Sequence, residues 1–322
     1  SSAQDTRGIG TNSRDIALQL WFIYLALSLI CFAGLKLLGL SFFDAICHTF
    51  ATVSTGGFGT HNESIGYFNS QAVEIWITLF MIICSINFIL YAWLLKRGWQ
   101  RWKQDEESKV FLAILFLATL VVAVDLTWVG GDTSTSHAFR VAAFQVVSLM
   151  TTTGFVTADF GTWPPLSDQI LLMLMVIGGC AGSTAGGVKL SRWILFVKSI
   201  KLQITSSFRP ARVMQISLNG RHTSDALRID TLFLVGLAGI ITAVGAILVS
   251  LMEPSLDMDS NVTAVLATLF NIGPGLGKVG PTHNFSELAP YTKVLLTMLM
   301  AVGRLEFYAI LALFLPSLWK NY

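Results

Sequence analysis

Charge is scarce in this chain. Only 12% of its 322 residues are Asp, Glu, Lys or Arg, about half the roughly 25% of a soluble domain. The net charge is +2, and no basic stripe interleaved with aromatics occurs, so nucleic acid is excluded as a partner. Cysteine is scarce as well. Cys31, Cys47, Cys84 and Cys180 sit singly in apolar stretches, without CxxC or Cys/His spacing. They read as small buried hydrophobes, and no metal centre or covalent cofactor is expected. The polar residues 1–14 hold no signal-peptide core, and neither GxSxG nor HExxH occurs, which argues against a secreted protein and against common hydrolases. The chain begins with Ser1 and not Met, which predicts that more protein precedes it.

What the chain has instead is apolar length: 53% of its residues are hydrophobic and mean hydropathy is +0.65. Several runs of about 20 apolar residues predict an all-α polytopic membrane protein. Spans are expected at Ile16–Leu38, Ala72–Leu95, Val110–Val129, Ile229–Leu251 and Tyr291–Leu315, with a broken one over Ser167–Ile177 and Val188–Ile200. Between them lie helices too short to cross, at Ser41–Phe50, Ser136–Met150 and Ser260–Phe270. At 1.5 Å per residue, about ten residues reach only half of a bilayer core.

Each short helix runs into a glycine-bearing turn. The turns read Val53-Ser54-Thr55-Gly56-Gly57-Phe58, Thr151-Thr152-Thr153-Gly154-Phe155 and Phe270-Asn271-Ile272-Gly273-Pro274-Gly275. Their first glycines, at 56, 154 and 273, lie 98 and 119 residues apart, and such a period suggests duplication. The chain therefore divides into a terminal segment 1–14, a unit 15–98, a linker 99–109, a unit 110–200, a linker 201–227 and a unit 228–322. Each unit is span, re-entrant half-helix, turn, span.

Basic residues concentrate on one side of this layout. Arg7, Arg14, the 96–109 and 198–228 linkers and Lys320 fall together, whereas the other side keeps only Lys36, Arg140, Lys278 and Lys293. The positive-inside rule puts both ends and both linkers in the cytoplasm. The turns then open outward beside Asp44, Glu63, Glu74, Asp125, Asp132, Asp159, Asp168, Glu253, Asp257, Asp259 and Glu287. Those acids read equally as a cation-concentrating vestibule or as solvated loop charge.

A half-helix entering from outside aims its C-terminal carbonyls, and their partial negative charge, at the membrane centre. Small residues and glycine let such carbonyls replace the water shell of a cation. One such turn alone is also an ordinary helix C-cap; three at corresponding places favour a cation path. The run Gly178-Gly179-Cys180-Ala181-Gly182-Ser183-Thr184-Ala185-Gly186-Gly187 interrupts a span. It reads as a mobile gate below the cation path or as a glycine packing interface. Arg304 falls mid-span and should face the pore or a partner. Glu306 lies about 200° round the helix from it and is not its expected partner. Lys189 and Arg192 are expected to snorkel to the cytoplasmic interface, and Asn87 to bond between helices.

These residues resemble the Trk/Ktr/HKT potassium transporters, above all the bacterial TrkH and TrkG branch. The likeness is carried by Thr151–Phe155, Gly178–Lys189, Asn271–Gly277 and Gly303-Arg304-Leu305-Glu306, and it covers residue 12 to the end. It implies a potassium-conducting subunit of the bacterial inner membrane. Filter carbonyls would come from Val53, Ser54, Thr55 and Gly56, from Thr151, Thr152, Thr153 and Gly154, and from Phe270, Asn271, Ile272 and Gly273. Gly178, Gly179, Gly182, Ser183, Thr184, Gly186, Gly187 and Arg304 would form the gate. It further implies K+ as the transported ion, a homodimer in the lipid bilayer, and a cytosolic nucleotide-binding ring of the TrkA/KtrA kind. That family surrounds its pore with four units, so a first unit is expected outside this chain. Two alternatives stand beside this: a non-conducting fragment, or an intramembrane hydrolase built on Ser183 with His48 or His137. A carrier with broken helices would normally have inverted repeats, whereas these units share one orientation.

Overall fold

A computed structural model describes residues 13–98, 100–131, 134–208, 215–305 and 307. Among the described residues, three helices are long and apolar enough to cross a membrane: α1 (Ser13–Leu37), α6 (Glu106–Trp128) and α10 (Asp225–Met252). Each is followed by a short helix and then by one or two returning helices. The half-helices follow as α2 (Phe42–Val53), α7 (Thr135–Met150) and α11 (Met258–Leu269). Ser41 and Ser134 cap the first two by accepting from the amides of Asp44 and His137, the role that short hydroxyl side chains fill at helix starts.

The returning helices differ from simple spans. In the first series α3 (Gln71–Ser85) and α4 (Phe88–Arg97) meet at 89°, so the unbroken span expected over Ala72–Leu95 does not form. Asn87 is the cause at the local level: its side chain accepts from Ile89 N at 2.9 Å and starts α4 as an N-cap. A bond between helices was the expectation for it. After the short α5 (Gln100–Gln104) comes the second series, which returns through α8 (Pro165–Ile177) and α9 (Leu190–Phe208), with the glycine-rich run between them. The third returns through α12 (Pro290–Arg304). Of the rest of its expected span only Leu305 and Phe307 are described; Glu306 and residues 308–315 lie outside the described residues, as do Lys320, residues 1–12, Asp132, Arg209 and Arg212. A two-stranded hairpin, β1 (Ser217–Leu218) with β2 (Arg221–His222), interrupts the otherwise helical chain.

The second half-helix forms the centre. Along α7, Ala138, Ala142, Phe144, Val146, Leu149 and Met150 are all buried, packed against α6, α8 and α3. Arg140 on α7 pairs with Glu74 on α3 at 3.0 Å. Two further acids join the ends of spans. Asp125, near the end of α6, accepts from Ser167 N at 3.1 Å and Ser167 Oγ at 2.6 Å, at the start of α8. Glu253, just after α10, accepts from Ala289 N at 2.6 Å and Thr292 Oγ1 at 2.9 Å, at the start of α12. A carboxylate at a helix N-terminus satisfies free amides and suits the dipole. Glu74, Asp125 and Glu253 are therefore clasps between helices, a reading that neither a vestibule nor solvated loops had provided for.

Candidate functional site

The three turns have one backbone. Ser54, Thr151 and Phe270 end the half-helices as C-caps. The next residue is left-handed in every case, with φ of 53° at Thr55, 54° at Thr152 and 56° at Asn271. A β-branched residue there is a true outlier, so two strained threonines at one position mark a conformation held by its surroundings. Two residues on come Gly57, Gly154 and Gly273, with φ of 68°, 78° and 111°. Hydrogen bonds fix the same register: Gly57, Gly154 and Gly273 donate to the carbonyls of Ala51, Ser148 and Ala267. The counterpart of Gly154 is thus Gly57. The alignment on Gly56 was one residue off, because two adjacent glycines left the choice open.

Those glycines lie against carbonyls of neighbouring turns. A Cβ on Gly57 would fall 1.7 Å from Thr153 O, and one on Gly154 would fall 1.9 Å from Ile272 O. Turn one therefore abuts turn two, and turn two abuts turn three, through the same pair of positions. Among the described residues, nothing lies within 4 Å of the Cβ position of Gly273. A closed ring of three would bring Gly56 O there, by the equivalence of Gly56, Thr153 and Ile272. Between turns three and one lies instead a cavity of about 720 Å³ lined by Ser54, Thr55, Gly56, Gly57, Gly154, Asn271, Ile272, Gly273, Met300 and Arg304, among others.

The glycine-rich run packs directly onto the ends of the turns. Thr184 Oγ1 shares its proton between Val53 O at 3.0 Å and Cys84 O at 3.2 Å. Gly186 N donates to Thr152 Oγ1 at 2.5 Å, and a Cβ on Gly186 would fall 2.4 Å from Phe270 O. The run thus touches all three turns within three residues. Its ends meet each other: a Cβ on Gly178 would lie 2.6 Å from Gly186 O and 2.9 Å from Gly187 Cα. A side chain at Gly179 or Gly182 would strike Ala185 or Asn87. Its backbone also feeds the α3/α4 break, where Cys180 N donates to Ser85 O at 3.0 Å and Phe88 N to Gly182 O at 3.1 Å. Two interrupted helices thereby satisfy each other's polar groups, as broken backbone at membrane depth requires.

Lys189 Nζ donates to Ala185 O within the run, and Arg192 Nη1 to Val188 O just after it at 3.3 Å. Arg304 is exposed and lines the cavity. The neighbouring Gly303 admits Leu269 O, which would lie 1.6 Å from a Cβ. Asn271 Nδ2 ties turn three to α12 through Met300 O at 3.1 Å. Ser183 Oγ donates to Cys180 O at 2.6 Å, whereas His48 Nδ1 sits 2.8 Å from Asp44 O on α2. Neither of these bonds joins Ser183 to a histidine.

Residues 12–321 match the family described as TrkH, cation transport protein. The chain belongs to this TrkH family. Among curated TrkH-family relatives is a Trk system potassium uptake protein TrkH of Halomonas elongata, 34% identical over 314 residues, or 95% of this chain and 63% of that protein. The TrkH of Escherichia coli K12 is 34% identical over 312 residues, 95% of this chain and 63% of that protein. Its TrkG is 31% identical over 316 residues, 95% of this chain and 62% of that protein. The crystal structure of the potassium transporter TrkH from Vibrio parahaemolyticus superposes with a TM-score of 0.89 at 34% identity, covering 97% of this chain and 67% of that one. The chain thus spans just under two thirds of the curated TrkH relatives it matches.

Sequence reasoning missed three residues that shape the turns and the glycine-rich run. Gly57 was visible but shifted by one. Ser148, whose Oγ donates to Phe155 O at 2.6 Å, carried no signal beyond a polar residue in a buried helix. Glu107, which bonds to the glycine-rich run at Ala181 N, looked like an ordinary acid in a first helical turn.

Proposed function

We propose that this chain lines a potassium uptake pathway, with the three turns supplying filter carbonyls. The observation that carries the reading is the carbonyl-to-glycine succession from Gly57 to Thr153 and from Gly154 to Ile272, built at the C-terminal ends of three half-helices. In register, the contributing residues are Ser54–Gly57, Thr151–Gly154 and Phe270–Gly273, with Val53 one step outside. Half-helix dipoles favour a cation at this point and disfavour an anion. Dedicated potassium uptake, and not catalysis, is what the names of the TrkH and TrkG relatives support.

The open face at Gly273 supports a ring completed by a further span–half-helix–turn–span unit from outside this chain, so the chain alone conducts nothing. The run 178–187 acts as a gate beneath the filter, and Arg304 adds a positive charge on the same path. The assembly is a homodimer in the bacterial inner membrane, with both ends of this chain cytoplasmic and a nucleotide-binding ring docked on the basic linkers.

The test is rubidium uptake by cells lacking their own potassium systems, with the protein expressed from its complete gene. Gly154→Asp should abolish uptake while leaving the protein in the membrane. Normal uptake by that variant would remove the filter assignment.

A further inference from the structure

One buried acid holds the glycine-rich run from behind, and the filter reading gives it no role. Glu107 is 3% exposed in the first turn of α6. Its Oε1 accepts from Ala181 N at 2.7 Å and from Ser191 N at 2.9 Å. Ala181 lies inside the run and Ser191 in the first turn of α9, so one oxygen ties the loop to the start of the helix that follows it. Charge-assisted bonds of this kind are roughly twice as strong as neutral ones, and losing one leaves buried amides unsatisfied.

The same end of α6 is gripped by the hairpin. Asn219 and Gly220 occupy its turn with φ of 52° and 74°, the left-handed pair that a tight two-residue hairpin requires. That turn delivers Asn219 Oδ1 to the amides of Glu106 at 2.8 Å and Glu107 at 3.4 Å. Lys198 on α9 bonds both Glu106 Oε2 at 2.6 Å and Ser217 O at 2.8 Å. A continuous chain of contacts therefore runs from Asn219, through the first turn of α6 and the Glu107 carboxylate, to Ala181, three residues before Thr184 on turn one.

We propose that Glu107 is the positioning residue that latches the glycine-rich run against the turns, and that the 217–222 hairpin sets the latch by capping α6. The hairpin belongs to the linker that the basic residues put on the cytoplasmic side, so anything that moves it there reaches the run without touching the filter. The functional half of this proposal rests on the run being the gate.

Two readouts separate the parts. The protein, expressed from its complete gene and reconstituted in lipid, is compared with Glu107→Gln and Asn219→Ala. Hydrogen exchange is followed over residues 180–191, alongside rubidium leak and the potassium-to-sodium ratio. Glu107→Gln keeps the shape and removes the charge; exchange at Ala181 and Ser191 should rise about tenfold, with a raised leak and an unchanged ion ratio. Asn219→Ala, at a half-buried turn, should move both readouts the same way by a smaller factor. Unchanged exchange in Glu107→Gln overturns the latch. Faster exchange without added leak leaves the contact standing and overturns the gate reading with the regulatory part of the proposal. A changed ion ratio with unchanged exchange would assign Glu107 to the filter and not to the run.

Discussion

The seam between turns one and two and the open flank of turn three are built from the same parts and differ only in what lies opposite. At Gly57 and Gly154 a carbonyl of the next turn occupies the space of a side chain, at 1.7 and 1.9 Å from a notional Cβ. At Gly273 no described residue comes within 4 Å of that space. The backbone is left-handed at all three, so the conformation belongs to the turn itself, and the contact belongs to the neighbour. Glycine is thus required twice over in the seams and once at the flank.

Substitution at the seams should have the largest effect. Alanine at Gly57 or Gly154 meets backbone oxygen, which cannot swing aside, and also bears the roughly 1–2 kcal/mol of a left-handed residue. Rubidium uptake should fall at least about a hundredfold, the consequence of roughly 3 kcal/mol or more. Gly56→Ala is the control: its Cβ would be crowded by Ser54 Oγ at 3.1 Å, a hydroxyl able to turn away, would touch the Phe58 ring at an ordinary 3.5 Å, and its φ is not positive. Uptake within about threefold of normal is expected, a loss below roughly 1 kcal/mol. If Gly56→Ala were the damaging variant, the pairing of Gly57 with Gly154 would be wrong by one residue.

The flank should respond less. In the isolated chain Gly273→Ala adds only left-handed strain, about 1–2 kcal/mol, so its loss of thermal stability should be clearly smaller than that of Gly154→Ala. Equal losses in detergent melting curves would mean that Gly273 already has a neighbour.

This contrast also measures what the sequence could show. Apolar length and glycine punctuation made the spans, half-helices and turns legible, because both depend on local chemistry. The order of contacts around the turns was not legible, since Gly57, Gly154 and Gly273 look alike until their neighbours are present. The break at Ser85–Asn87 was hidden for a related reason. No glycine or proline marks it; the freed carbonyls of Cys84 and Ser85 are tolerated because the distant run 180–184 supplies their donors. Clasps such as Asp125 to Ser167, 42 residues apart, are equally invisible without the fold.

The smallest effect is expected where the glycine-rich run meets the turns, because that contact is uneven. Thr184 and Gly186 bond to turns one and two, whereas turn three only lies against Gly186. Thr184→Val keeps the volume and removes the proton shared by Val53 O and Cys84 O. A hydrogen bond of this kind contributes about 1 kcal/mol net, enough to favour the released run by roughly fivefold. Rubidium leak should rise by about that factor while the potassium-to-sodium ratio holds, since Gly57, Gly154 and Gly273 and the carbonyls beside them are untouched. Thr152→Val should act in the same direction through Gly186 N. No change in leak in either variant would mean that the run is held by its own glycine packing at Gly178 and Gly187, and that its bonds to the turns follow from that packing and do not control it.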